Sequence, residues 1–481
     1  MSRLSRGNFR QVLLGLTLSV VWLLPSTLQA QFDFVTNNGA ITITAYTGTG
    51  PLVTIPSVIN GLPVTAIGFK AFYENTRPTS VIIPSSVTSI GNIAFAVCVN
   101  LTNVTIPNSV TNIGAEAFKA CYNLTSLSLP ANLNVIATDL FHSCSSLTNV
   151  SFPGSLTSIE DAAFYLCDKL TTANIPAGVT NIGNDVFTGC SSLTSIAIPD
   201  GITRIGDNLF HTCSSLTNVS LPTSITSIGQ AGFFSCGKLA YLNIPLGVTN
   251  IGGSAFAACG SLTNLAIPDG VRSIGVGAFQ GCTNLTSLAL PDSILELQTA
   301  GLFESCFSLS YVRLPKGLSE IGSLAFGSCR NLTNLTIPKG VSRIHRWALI
   351  SCPNLAGVFF EGNAPLLDFD FPFTIFDDST NVTAYFLPGT TGWSTTFSDR
   401  PTALWNPLIK TADVSFGVHT NRFGFNITGT TNIPIVVEAS TNLTGNSWTA
   451  LQYSTLTNGS IYFSDAEWTN YSARVYRIRS P

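Results

Sequence analysis

The chain has 481 residues, of which 45% are hydrophobic and only 10% are charged, and its formal net charge is −3. This length exceeds what one compact core can organise, so we expect either several domains or one extended array. The apolar content excludes a disordered chain, because it can offset the entropy of ordering. The sequence has no basic stripe, which argues against a nucleic-acid partner, since binding to phosphates needs clustered cations.

Residues 1–30 have the three parts of a secretory signal peptide. Three arginines precede the 13-residue apolar stretch Val12–Leu24, and Leu28-Gln29-Ala30 resembles a small-residue cleavage site. Thirteen residues are too few to cross a bilayer, so an uncleaved anchor is the weaker alternative. The mature chain then begins at Gln31 with a net charge of −6, because three arginines are lost from −3. We expect a secreted or cell-surface protein with no membrane span in the mature chain.

Residues 31–50 are predicted to form a β-hairpin that caps one end of an array. Phe32–Val35 and Ile41–Thr44 are candidate strands, and Asn37-Asn38-Gly39 between them is a typical hairpin turn. A stacked array needs such a cap, because its terminal unit would otherwise expose the core.

Residues 51–362 contain about 13 tandem units of 23 residues. A proline recurs every 23 residues from Pro84 to Pro291, then after 24 residues at Pro315. All twelve cysteines keep one register: Cys98, Cys121, Cys144, Cys167, Cys190, Cys213, Cys236, Cys259, Cys282, Cys306, Cys329 and Cys352. Self-similarity at a fixed period of this length indicates a repeat solenoid.

The first half of each unit has the pattern of a strand. In the unit that starts at Cys98, Val104 and Ile106 alternate with polar residues, as in a half-buried strand. Pro107 ends that strand, because proline cannot donate to a strand ladder. Val110 and Ile113 form a second inward-facing stretch.

The second half of the same unit is predicted to turn and to fill the core. Gly114 permits a turn that a β-carbon would strain. The spacing of Ala117, Phe118 and Cys121 fits a short helical or turn segment with an aromatic plug. One unit cannot bury these residues alone, but stacked neighbours form one continuous core.

The full pattern, C-x-x-L-x-x-[LVI]-x-[IL]-P-x-x-[VI]-x-x-I-G-x-x-A-F-x-x-C, resembles the BspA-type (treponemal-type) leucine-rich repeat of bacterial secreted and surface proteins. The resemblance implies a leucine-rich-repeat solenoid whose parallel β-sheet lines one face, and members that mostly bind proteins or cell surfaces. A parallel β-helix is the competing architecture, because it shares the same stacking. Five positions depart from the pattern: Ala137, Glu160, Gln298, His345 and Leu349.

Residues 363–407 are predicted to close the array with a degenerate strand at Thr383–Leu387. Leu387-Pro388-Gly389-Thr390-Thr391 resembles a cell-wall sorting signal, but Thr391 stands where that signal requires glycine. A calcium site is a weaker alternative for four carboxylates in this segment: Asp368, Asp370, Asp377 and Asp378. They lack the alternating spacing of an EF-hand loop, so solvated side chains are the preferred interpretation.

Residues 408–481 have no 23-residue period and no cysteine, and turn signals recur at short intervals. The candidate strands are Val414–Val418, Phe423–Ile427, Ile433–Ala439, Trp448–Gln452, Ser460–Phe463 and Arg474–Arg479. Six short strands with such breaks are typical of a small all-β sandwich.

No pattern in the sequence points to an enzyme, a cofactor or a metal. His142 and His211 share one repeat position, but three stacked units separate them by about 14 Å, which is too far for one metal. His345 replaces a turn glycine, and His419 lies in the last module. Twelve equivalent cysteines cannot all be nucleophiles. We expect buried free thiols, because stacked equivalents lie about 4.8 Å apart, farther than a disulfide prefers.

We therefore expect a non-enzymatic, monomeric protein that mediates protein interaction or adhesion, with a protein or a glycan as its ligand. The candidate binding residues on the predicted sheet are Tyr241, Tyr311 and Arg313, since tyrosine and arginine are enriched at binding hot spots. Glycan binding through Trp448 or Trp468 is one alternative, because sugars stack on exposed indoles. A passive structural role in the envelope is the other, and tyrosine is also simply common in strands.

Overall fold

The computed structural model of the chain describes residues 31–297, 299–367, 374–442 and 447–481. It divides into two compact units, Met1–Ile225 (unit 1) and Thr226–Pro481 (unit 2). The predicted signal peptide lies outside the described residues, and the domain boundaries inferred from the sequence stay a prediction. None of the helices in the described ranges is long and apolar enough to cross a membrane.

Unit 1 consists of short strands joined by turns. Its strands are β1 (Phe32–Asn37), β2 (Ala40–Tyr46), β3 (Leu52–Thr54), β4 (Val58–Ile59), β5 (Leu62–Ile67), β6 (Ser80–Ile82), β7 (Ser89–Ile90), β8 (Asn103–Thr105), β9 (Asn112–Ile113), β10 (Ser126–Ser128), β11 (Val135–Ile136), β12 (Asn149–Ser151), β13 (Ser158–Ile159), β14 (Thr172–Ala173), β15 (Asn181–Ile182), β16 (Ser195–Ala197), β17 (Arg204–Ile205) and β18 (Asn218–Ser220).

Unit 2 also begins with short strands joined by turns, and it ends in longer strands. Its elements are β19 (Ser227–Ile228), β20 (Asn250–Ile251), β21 (Ser273–Ile274), β22 (Ser287–Ala289), β23 (Glu296–Leu297), β24 (Tyr311–Arg313), β25 (Glu320–Ile321), β26 (Asn334–Ile337), β27 (Arg343–Ile344), β28 (Gly357–Phe360), β29 (Leu366–Leu367), β30 (Thr383–Phe386), β31 (Thr396–Phe397), β32 (Arg400–Leu404), β33 (Leu408–Lys410), β34 (Gly417–His419), β35 (Arg422–Thr428), β36 (Pro434–Ser440), β37 (Thr449–Thr455), β38 (Ser460–Asp465), a 3-10 helix (Trp468–Asn470) and β39 (Val475–Arg479).

Each repeat forms one coil, and most coils contribute strands to two parallel ladders. One ladder is built from strands of about three residues: Ser126 of β10 pairs with Asn149 of β12, 23 residues later. The other is built from two-residue strands: Val135 of β11 pairs with Ser158 of β13. The predicted parallel solenoid is therefore confirmed, and its register equals the repeat period.

The predicted helical or turn segment is a run of turns without a helix. Glu116 and Ala120 have φ angles of 58° and 57°, which prevent a helix from continuing. The N–H groups of Glu116 and Phe118 donate to carbonyls of the next coil, at Thr138 (3.0 Å) and Leu140 (3.1 Å). Alternate N–H groups of this segment thus donate to the next coil, and the N–H groups between them donate to carbonyls of their own coil.

The core of each unit contains a file of stacked phenylalanines. In unit 1 the rings from Phe72 to Phe210 follow one another at centroid distances of 4.6–5.9 Å. In unit 2 the file runs from Phe233 to Phe326 with distances of 5.4–5.9 Å. These rings are fully buried, as the predicted aromatic plug requires.

The reason for the repeat glycine differs from the prediction. Gly114 was expected to relax a strained turn, but its φ is not positive. A β-carbon at Gly114 would lie 2.6 Å from the backbone nitrogen of Asn92 in the preceding coil. Close approach between stacked backbones, not turn strain, therefore selects glycine at this position.

All twelve cysteines are free and buried, as predicted. The thiol of Cys121 donates to the carbonyl of Phe95 in the preceding coil at 3.1 Å, and Cys167 donates to Phe141 at 3.2 Å. Burial raises the pKa of the Cys144 thiol to about 12. Each thiol is therefore a neutral core group that also satisfies a backbone carbonyl.

We expect these thiols to be unreactive in the native protein. Titration with Ellman's reagent near pH 8 should find almost none, because a buried neutral thiol is neither accessible nor nucleophilic. The same titration after denaturation, without a reductant, should find close to twelve. A low count in the denatured sample would mean that disulfides had formed and would contradict the account.

The predicted N-terminal hairpin is present. β1 and β2 pair antiparallel around Asn38 and Gly39, and β2 then pairs parallel with β5 of the array. The rings of Phe32 and Tyr46 lie 5.3 Å apart, and Tyr46 stacks on Phe72 at 5.3 Å. The hairpin thus covers the first ring of the aromatic file.

The C-terminal module is all-β, as predicted, and it packs on the last coils of unit 2. Strands β33, β34, β35 and β38 form one antiparallel sheet, and β36, β37 and β39 form a second. The indole N–H of Trp405 donates to the carbonyl of Pro434 at 2.9 Å. The hydroxyl oxygens of Thr336 and Ser480 lie 2.9 Å apart, so the chain end is also fixed to the array.

Candidate interaction surface

The outward side chains of the three-residue strands form one surface, here called the strand face. From β8 to β18 they are exposed, small and uncharged: Asn103, Thr105, Ser126, Ser128, Asn149, Ser151, Thr172, Asn174, Ser195, Ala197, Asn218 and Ser220. Two open grooves of about 370 and 350 Å³ lie on this part of the face. From β8 to β18 the face is hydrophilic and lacks the aromatic and arginine anchors of binding hot spots, whereas β3 and β6 present the exposed side chains of Leu52 and Ile82.

The tyrosines interrupt this pattern in unit 2. Tyr241 is 64% exposed and Tyr311 is 46% exposed. Tyr311 pairs with Ser287, which in turn forms a bridge with Asn264. The N–H of Thr263 donates to Ala240 O, which places Tyr241 one coil before Asn264. The two rings therefore stand in one column three steps apart, about 14 Å.

Arg313 is held beside Tyr311 by an ion pair. Its guanidinium lies 2.7 Å from the carboxylate of Asp292 and also donates to the carbonyl of Leu290 at 3.3 Å. Lys316 lies 3.4 Å from the same carboxylate. Partial burial opposes ionisation of Asp292, but the N–H of Lys316 and the charge of Arg313 lower its pKa. Sequence reasoning missed Asp292, because aspartate also follows the repeat proline in two other coils, at Asp200 and Asp269.

The two candidate tryptophans of the C-terminal module are half-buried and engaged. The guanidinium of Arg477 lies 4.1 Å from the ring centroid of Trp448. Arg477 is paired with Glu438 at 2.7 Å, which fixes this cation–π contact. The indole N–H of Trp468 donates to the carbonyl of Asn421 at 3.3 Å. One face of Trp448 is therefore unavailable for stacking on a sugar.

Several titratable side chains outside the strand face form local pairs. The Nδ1 atom of His142 lies 2.7 Å from Asp139, and its ring stacks on Tyr165 at 4.6 Å. Asp139 also accepts from Lys119 at 3.4 Å. Among the described residues, no group of three or more His, Cys, Asp or Glu side chains is placed to hold a metal.

The alternative calcium site is only half within the described residues. Asp368 and Asp370 lie outside them. The carboxylate of Asp377 accepts hydrogen bonds from Trp347 at 3.2 Å and from Thr374 at 2.6 Å, and Asp378 accepts from Ser351 at 3.2 Å. The oxygens of these two aspartates thus serve as hydrogen-bond acceptors of neighbouring side chains.

The family profile described as "BspA type Leucine rich repeat region (6 copies)" matches residues 65–194, 180–300 and 249–383. These ranges cover more than half of the chain. The chain belongs to this family. No curated protein is similar enough to count as a match.

Solved structures of bacterial leucine-rich repeat proteins are similar to this chain. A leucine-rich repeat protein from Bacteroides ovatus is 24% identical, with a TM-score of 0.59, over 78% of this chain and 98% of that one. A leucine-rich cell surface protein from Faecalibacterium prausnitzii is 26% identical, with a TM-score of 0.42, over 69% and 94%. The Bacteroides structure supports the leucine-rich-repeat architecture described above.

Proposed function

We propose that this protein is an exported, non-enzymatic interaction protein that binds a protein partner at a cell surface or in an extracellular matrix. The leucine-rich-repeat family of bacterial surface proteins supports this class of function. The observation that carries the proposal is the exposed pair Tyr241 and Tyr311 on a face whose strands from β8 to β18 present only small uncharged side chains. Two large amphipathic rings about 14 Å apart suit one partner loop or helix.

Arg313 adds a charge-assisted anchor to the same site. The Arg313 side chain is 39% exposed although it pairs with Asp292, so it can donate to a partner while its position is fixed. A pre-positioned side chain loses little entropy on binding, which favours affinity. The interaction site proposed here therefore consists of Tyr241, Tyr311 and Arg313.

A passive structural role is the second candidate, and the uncharged strand face of unit 1 favours it. Small polar side chains give solubility without anchors. Binding of the mature protein to an array of extracellular-matrix proteins and glycans separates the two candidates. A passive element should bind nothing on the array above background.

A triple variant tests the site itself. We expect the Tyr241→Ala, Tyr311→Ala, Arg313→Ala variant to keep the fold. Its affinity for the protein that the array identifies should fall by at least about 100-fold, since hot-spot truncations cost about 2 kcal/mol or more each. The matched control is Asn103→Ala, Asn149→Ala, Asn218→Ala on the neutral part of the strand face. Equal binding by the two variants would place the site elsewhere.

A further inference from the structure

The ladder of two-residue strands in unit 2 is interrupted at the one coil of 24 residues. Strands β19, β20, β21 and β23 form one parallel series, and β25, β27 and β29 form another. Within the described residues, β23 and β25 make no strand pairing. The interruption coincides with the extra residue between Pro291 and Pro315, whereas the interruption between β9 and β11 in unit 1 falls in coils of 23 residues.

Two backbone groups lose their partners at this break. In the coils on either side, Leu295 N–H donates to Arg272 O at 2.8 Å, and Ser342 N–H donates to Ser319 O at 2.9 Å. The equivalent bond between Ser319 N–H and Leu295 O is not made, and neither group has another partner among the described residues. A donor and an acceptor on neighbouring coils are thus left open to a ligand.

The hydroxyl of Thr299 takes over the missing bonds at the other end of the break. It accepts from the N–H of Gly322 and donates to the carbonyl of Glu320 at 3.5 Å. The side chain of Thr299 is buried. The open backbone groups therefore lie on the side of Leu295 and Ser319, and Thr299 bridges the two coils on the other side.

A cleft of about 350 Å³, lined by both aliphatic and polar residues, lies at the opening. Leu295 is 76% exposed in a column otherwise occupied by polar residues such as Thr249, Arg272 and Ser319. Val276 is 47% exposed and lines the same cleft, together with half-buried Leu297. Specific ligand sites typically combine such apolar walls with a few unpaired polar groups.

The charged rim of the cleft is already neutralised. The carboxylate of Glu320 lies 3.2 Å from Nε2 of His345 and 3.9 Å from Nε of Arg343. Because these partners engage the carboxylate, the cleft favours an uncharged group over a cation. His345 stands in the register of the repeat glycine, one coil after Gly322.

We propose that the cleft binds an extended, uncharged peptide segment that carries a branched aliphatic side chain. The peptide carbonyl accepts from Ser319 N–H, and its N–H donates to the carbonyl of Leu295. The aliphatic side chain packs against Leu295, Val276 and Leu297. The two open backbone groups give affinity, and the aliphatic side chains beside them select the side chain of the peptide. The site lies on the other ladder from the strand face and does not depend on the proposed function.

The test uses the mature protein and blocked pentapeptides of serine and glycine with a variable central residue. Saturation-transfer NMR should detect binding of the peptide with central leucine. The glycine-centred peptide lacks the aliphatic side chain, and a peptide methylated on its central amide nitrogen lacks the hydrogen-bond donor. Each should therefore bind at least about tenfold more weakly.

Two matched variants locate the site. Leu295→Thr introduces the residue type that other coils carry in this column, so it should fold normally and lose at least about tenfold in leucine-peptide binding. Leu246→Thr changes another leucine, which is 86% exposed, and should bind as the wild type does. Absence of binding by the leucine peptide, equal binding by the glycine peptide, or undiminished binding by Leu295→Thr would overturn the proposal. Binding to the array-identified protein is a separate readout, so failure of one proposal leaves the other intact.

Discussion

The unfolding free energy of the protein should fall steeply above about pH 9. An unfolded thiol titrates near its ordinary pKa of 9.0, whereas burial raises the pKa of Cys144 and Cys259 to about 12. Between these values the unfolded state loses protons that the folded state retains, so stability is complete below pH 9 and declines as pH rises. In this pH range each buried thiol lowers the unfolding free energy by about 1.4 kcal/mol per pH unit.

Unit 1 contains six of these cysteines, so its expected slope is about 8 kcal/mol per pH unit. Because the unfolding free energy of a domain is typically about 5–15 kcal/mol, we expect unit 1 to unfold at about pH 10 to 11. Urea titrations at several pH values between 8 and 10.5 measure the slope.

The control for this experiment removes the titrating groups but keeps the hydrogen bonds. In the Cys144→Ser, Cys167→Ser, Cys190→Ser variant, each hydroxyl can still donate to the phenylalanine carbonyl of the preceding coil. Its absolute stability will be lower, because a hydroxyl is more costly to bury than a thiol. The slope of unit 1 should nevertheless fall to about half. A wild-type slope near zero in this range would refute the neutral-thiol account.

Replacing one ring of the aromatic file should cause a large loss of stability. Phe164 is fully buried and stacks between Phe141 at 5.4 Å and Phe187 at 5.7 Å. We expect Phe164→Ala to lower the unfolding free energy of unit 1 by about 3–5 kcal/mol, because it leaves a cavity and removes both stacking contacts and an edge contact with Phe152. Chemical denaturation monitored by circular dichroism gives the value.

Phe69→Ala is the matched control, because Phe69 is 62% exposed and lies outside the file. It should change the unfolding free energy by less than about 0.5 kcal/mol. Equal effects of the two substitutions would mean that the file does not organise the core.

The solenoid was predictable because its pattern is repeated many times over. The 23-residue spacing of proline and cysteine sets the ladder register, as the pairing of Ser126 with Asn149 illustrates. The period could not distinguish a helical turn from a run of turns near Phe118. The positive φ angles at Glu116 and Ala120 fall on ordinary residues, which give no sequence signal for that conformation.

The C-terminal module was predictable as all-β, but its contacts were not. The strand predicted at Phe423–Ile427 is contained in Arg422–Thr428, whereas Leu408–Lys410 was missed because it is short and follows the degenerate closing segment. The packing of Trp405 on Pro434 joins residues 29 positions apart and has no periodic signature.

The candidate site was only partly predictable. Exposed tyrosines on the strand face follow from the alternation of the repeat, so Tyr241 and Tyr311 could be placed from sequence. The ion pair of Arg313 with Asp292 and the cleft at Leu295 could not, since both depend on how neighbouring coils meet at the one 24-residue unit. A departure from the repeat shows where to look, but not what contact replaces the regular one.

Hydrogen–deuterium exchange tests the central claim most directly, once the array has identified a protein partner. We expect binding to slow exchange in Ser287–Ala289 and Tyr311–Arg313. Exchange in the uncharged strands Asn103–Thr105 and Asn149–Ser151 should not change. Slower exchange confined to the C-terminal strands, such as Thr449–Thr455, would contradict it and move the interaction to that module.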